Sequence, residues 1–100
     1  LMKAVDYINF NFTSEITMDD LCAASGVSKQ YLCLLFRDTL STRPMEYIAK
    51  RRIQAAKELL VSTNKGIEDI SEEVGFCTAS YFCKLFKRYE GMTPSAFRRS

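Results

Sequence analysis

One pattern occurs twice in this sequence. Residues 18–47 realign with residues 67–97 at an offset of 49, which becomes 50 after one extra residue in the second turn. Asp20 pairs with Asp69, Leu21 with Ile70 and Gly26 with Gly75; beyond the extra residue Tyr31 pairs with Tyr81, Cys33 with Cys83, Phe36 with Phe86 and Pro44 with Pro94. Each copy reads as a short amphipathic helix with apolar residues at i, i+3 spacing, a glycine, a few turn residues, and a longer helix with its own apolar stripe. That is a helix-turn-helix, and its repetition predicts a fold built from two such units. The glycine is expected at C′, where a left-handed backbone ends a helix without a Cβ penalty. Ser28 and Thr78 fall where the next helix needs an N-cap.

The rest of the chain fits around these units, placed at about residues 17–41 and 66–90. Met2 to Phe12 reads as a first amphipathic helix with Val5, Ile8 and Phe12 on one side. Pro44 opens a linker helix over about 44–62, since proline is preferred at the first helical position; its apolar stripe is expected to run through Met45, Ile48, Ala56, Leu59 and Leu60. At 1.5 Å per residue it spans about 27 Å, which would hold the second helices of the two units close to one turn of B-DNA apart, ~34 Å.

Composition excludes most other readings. With 100 residues, 47% of them hydrophobic and 26% charged, the chain suits one small all-α domain over residues 1–100. It has no histidine, which removes the commonest general base and the commonest metal ligand. Cys22, Cys33, Cys77 and Cys83 form no C-x₂-C pair, so free thiols are expected, with no metal, no cofactor and no catalytic residues. Glu68, Asp69, Glu72 and Glu73 read as a solvated face favouring a helix N-terminus. No apolar run approaches the ~18–20 residues that span a bilayer, and no charged segment precedes a short apolar one, so a cytoplasmic protein with no membrane partner is expected.

Net charge is only +2, but it is laid out in blocks. Residues 1–25 carry −3, residues 26–57 carry +5, residues 58–76 carry −4 and residues 77–100 carry +4. Acid precedes base in each copy, and a fold that gathers the basic segments on one face presents a footprint for a polyanion. Helical phase locates that face. With Leu32, Leu35 and Phe36 inward, Gln30, Leu34 and Arg37 point outward, flanked by Lys29 and Cys33. With Phe82, Leu85 and Phe86 inward, Ser80, Lys84 and Lys87 point outward, flanked by Tyr81 and Cys83. Early positions reach base edges, whereas later ones hold phosphates. Arg52 falls within the linker's apolar stripe and reads as structural, paired with a buried carboxylate such as Asp20 or Asp69.

These residues also carry a resemblance. Ile67-x₂-Ile70-x₃-Val74-Gly75-Phe76, then Ser80-Tyr81-Phe82-x₃-Phe86-Lys87, then Gly91-Met92-Thr93-Pro94-Ser95-x-Phe97-Arg98 resembles the C-terminal signature of the AraC/XylS family of bacterial transcription regulators. The likeness extends over the first unit and the linker run Arg52-Ile53-x₂-Ala56-x₂-Leu59-Leu60. It implies a domain of about seven helices that binds double-stranded DNA sequence-specifically and regulates transcription. It also implies RNA polymerase and a sensor or receiver domain as partners. Family base-contact positions fall on Gln30, Cys33, Leu34, Ser80, Tyr81, Cys83 and Lys84, and phosphate contacts are assigned to Ser28, Lys29, Arg37, Lys50, Arg51, Thr78, Lys87 and Arg88. Leu34 departs from the polar or basic reader that similar proteins often carry. With two reading helices in one chain, the domain is expected to be monomeric. The alternative is a protein-interaction domain that kept the fold and reads DNA weakly or not at all.

Overall fold

Short polar side chains set four of the helix starts in the computed structural model, which describes residues 1–100. Seven helices follow one another: α1 Met2–Asn11, α2 Met18–Ser25, α3 Lys29–Leu40, α4 Pro44–Ser62, α5 Ile67–Glu73, α6 Ala79–Glu90 and α7 Pro94–Arg99. At α2 the backbone N–H of Asp20 donates to Thr17 Oγ1 at 3.1 Å, while that of Thr17 donates to Asp20 Oδ2 at 2.9 Å. This capping box satisfies two N–H groups that no helical carbonyl can reach. Ser28 caps α3 by accepting from Tyr31 N at 3.2 Å, and Thr78 caps α6 by accepting from Tyr81 N at 3.1 Å. Both N-caps stand where the sequence placed them. Of the two glycines, Gly26 (φ 73°) is the C-cap of α2, whereas Gly75 (φ 101°) lies one residue beyond the C-cap of α5, Val74.

The chain divides into two compact units, Leu1–Ala49 and Lys50–Ser100. In the first, Ala4, Ile8, Ile16, Leu21, Leu32, Phe36 and Ile48 form the buried core, with Val5, Phe12 and Tyr47 packed partly buried against it. Tyr47 meets Phe36 edge-on at 5.8 Å. In the second, Ile53, Ala56 and Leu60 of α4 are buried, as are Ile70, Val74, Phe76, Phe82, Leu85 and Phe86. Aromatic rings run through this unit in a chain, Phe76 to Phe82 at 5.3 Å, Phe82 to Phe86 at 5.8 Å and Phe86 to Phe97 at 5.5 Å. Centroid separations of this order, mostly edge-to-face, suit ring quadrupoles and add to the burial itself.

Four expectations change. The first helix ends at Asn11, leaving Phe12 as its C-cap. Leu35 is half-buried although its counterpart Leu85 is buried. Met45 is 46% exposed and does not join the core stripe. Pro44 and Ile48, four residues apart, bury one face of α4 from its first residue, and residue 45 stands about 100° round the helix from Pro44. Arg52 is half-buried and structural in position, with its guanidinium 5.9 Å from the centre of the Phe76 ring. Neither carboxylate named for it is buried: Asp69 is exposed, and Asp20 closes the capping box of α2. A half-buried guanidinium over a ring gains cation–π attraction while its stem covers apolar surface.

Candidate nucleic-acid interface

The outward face of α3 is set by the burial of Leu32 and Phe36, four residues apart on one stripe. Lys29, Gln30, Cys33, Leu34 and Arg37 are exposed, and together they line one groove of about 1110 Å³ in the first unit. Arg37 pairs with its neighbour Asp38 at 3.1 Å, and both side chains are about two-thirds exposed. Such a surface pair contributes little and breaks readily for a stronger anion. Ser28 stands at the start of the helix, where its Oγ accepts from the backbone N–H of Tyr31 and its O–H remains a donor. Sequence reading missed the α3–α4 corner, where residues 41–46 also line this groove. The signal available was the Pro44 helix start, which projects its flanking side chains at the end of the preceding helix.

On α6 the burial of Phe82, Leu85 and Phe86 leaves Ser80, Tyr81, Lys84, Lys87 and Arg88 exposed. Tyr81 keeps 53% of its surface in water while its ring meets the edge of Phe76 at 6.0 Å, so packing steers this side chain. Cys83 is half-buried and thus presents less surface than Cys33. Thr78, exposed and capping, repeats the arrangement of Ser28. Thr78 and Ser80 also line a smaller recess of about 470 Å³ with Glu68 and Glu72. The turn that carries this helix is tied from within, as buried Ser71 donates from Oγ to the carbonyl of Thr78 at 3.2 Å. On α4, Lys50 is exposed with its ammonium 5.9 Å over the Tyr89 ring, and Arg51 is half-buried.

The Arg52 guanidinium is pushed below its ordinary pKa, chiefly by burial, with Cys77 and Tyr81 nearby acting in the opposite direction. No group of three His, Cys, Asp or Glu side chains converges to hold a metal ion, and all four cysteines are free thiols. No helix is long and apolar enough to cross a membrane.

Known proteins share this arrangement. Residues 21–100 match the family model described as a helix-turn-helix domain. The raffinose operon transcriptional regulatory protein RafR of Pediococcus pentosaceus is 36% identical over 97 residues, covering 97% of this chain and 35% of that protein. This chain thus spans about a third of that relative's length. The HTH-type transcriptional activator AarP of Providencia stuartii is 36% identical over 94 residues, covering 94% of this chain and 70% of AarP. A transcriptional regulator from Chromobacterium violaceum, described as an AraC-type DNA-binding domain-containing protein, superimposes with a TM-score of 0.93. It is 30% identical, and the match covers 99% of this chain and 88% of that one. Two capped helix-turn-helix units, the family match over four-fifths of the sequence and these relatives agree, and the chain belongs to the AraC-type helix-turn-helix DNA-binding domains.

Proposed function

We propose that residues 1–100 act as one DNA-binding domain of a transcription regulator, with α3 and α6 entering successive major grooves and the 19-residue α4 linking them. Base edges are read by Gln30, Cys33 and Leu34 from the first unit and by Ser80, Tyr81, Cys83 and Lys84 from the second. Lys29, Arg37, Lys50, Arg51, Lys87 and Arg88 hold phosphates, and the hydroxyls of Ser28 and Thr78 donate to phosphates at the two helix starts. The observation that carries this reading is the matched pair of side-chain-capped helices, each 12 residues long, that bury an apolar stripe and expose polar and cationic residues. The chain acts by binding, not by catalysis, in the cytoplasm. A sensor or receiver domain elsewhere in the full protein supplies the input, and RNA polymerase receives the output.

Titration of the chain against random duplex DNA at rising salt tests this. Neutralising a phosphate releases counterions, so the slope of log affinity against log salt is about −0.9 per phosphate contacted; the six cations named give about −5. A flat slope, or no binding at low salt, would refute DNA binding and favour an interaction domain that kept the fold.

A further inference from the structure

The groove beside α3 has an apolar floor and a cationic rim. Leu34 is 43% exposed and Met45 is 46% exposed, and both line it. Lys29, Arg37 and Arg43 stand around them against one carboxylate, Glu46, which accepts a hydrogen bond from Thr42 Oγ1 at 3.4 Å. Two large apolar side chains left in water gain roughly 25 cal/mol for each Å² that an occupant covers. The rim requires that occupant to be polyanionic as well. Duplex DNA meets both conditions, because the thymine C5-methyl is the apolar group presented on its major-groove base edges and phosphates flank it on either side.

The internal repeat supplies an independent comparison. At the shared offset of 50, Leu34 corresponds to Lys84 and Met45 to Ser95, both exposed, whereas Arg37 corresponds to Lys87, cation for cation. The position assigned to a phosphate keeps its charge in both units. The two apolar positions of the first unit are polar in the second.

We infer that Leu34 and Met45 form a thymine-methyl reader, so that the first unit recognises its half of the site by apolar contact with T·A pairs. The second unit reads its half through hydrogen bonds and charge from Ser80 and Lys84. This rests on the DNA-binding reading above. The test uses sites selected by the chain from a random duplex library, with each thymine then replaced by uracil, which removes only the methyl. Replacement at one or two thymines in one half of the site weakens binding about three- to fivefold, the worth of roughly one buried methyl group. That sensitivity is abolished in Leu34→Ala, reduced in Met45→Ala and retained in Leu34→Met. Both positions changed are surface ones, and circular dichroism verifies that the helices persist. Equal binding of every uracil site, or discrimination that survives in Leu34→Ala, overturns this inference and leaves DNA binding standing. Failure to bind any duplex, with an acidic apolar peptide entering the groove instead, overturns both.

Discussion

Arg98 fastens the last helix to the end of α4, and its replacement is expected to cost stability while leaving DNA binding intact. Its Nε donates to the carbonyl of Leu60 at 3.0 Å and its Nη2 to that of Thr63 at 3.2 Å. These carbonyls close the C-terminal end of α4, where the last four lack intrahelical partners and the helix dipole concentrates partial negative charge. A hydrogen bond from a charged donor contributes about 1.5–3 kcal/mol, and removing it also leaves the acceptor to find water. Arg98 is half-buried, so water replaces part of what is lost. Arg98→Met, which keeps the length of the stem and deletes both donors, should therefore destabilise the protein by about 2 kcal/mol. For a domain of this size that lowers the melting temperature by roughly 8–16 °C. Arg98→Lys, with a point charge and no fork, should recover about half of it. Thermal and urea melts followed by far-UV circular dichroism measure the change, and salt titration against duplex DNA accompanies them. A stability within about 0.5 kcal/mol of the parent would refute the anchoring role. A shallower salt slope would make Arg98 a phosphate contact instead.

Two further outcomes are expected. Lys84→Ala should weaken the preferred site by about 1–3 kcal/mol and relax one base position, whereas Arg37→Ala should weaken all sequences alike and reduce the salt slope by about one; selection from a random library with each variant separates them. Because one chain carries both reading helices, sedimentation should find a monomer, and selected sites should be asymmetric and span about two turns of DNA; a palindromic site or an obligate dimer would contradict this.

Helix boundaries and caps were legible because the repeat displays each constraint twice. The glycine, the capping hydroxyl and the apolar stripe recur at fixed offsets, and Leu32, Phe36, Phe82 and Phe86 are all fully buried. Three things were not legible. Apolar character does not tell the centre of a buried face from its margin: Met45 is exposed between Pro44 and Ile48, which are both buried. Contacts of high sequence separation leave no local trace: Arg98 meets the end of α4 from 38 residues away. A left-handed residue that is not glycine is equally silent. Ser41 adopts φ 54° as the C-cap of α3. Its counterpart Gly91 reaches φ 78° at the end of α6 without a Cβ penalty.

On the proposed function, the divergence between the two copies lets one architecture read two different stretches of DNA. Positions that the geometry requires are held between the copies: Gly26 and Gly75 at the turn, Ser28 and Thr78 at the cap, Phe36 and Phe86 in the core, Arg37 and Lys87 facing out late in the helix. Each has a physical reason that is blind to base sequence, namely backbone conformation, an orphan N–H, an apolar interior or a phosphate charge. Positions free of those demands have diverged: Gln30 against Ser80, Leu34 against Lys84 and Met45 against Ser95. All six are exposed, so exchanging them costs the fold little and changes what each face can recognise. On the proposed reading, affinity resides in what the units share, and sequence preference in where they differ. Exchanging residues 34 and 84 should therefore move base preference between the two half-sites while stability and the salt slope stay as they are.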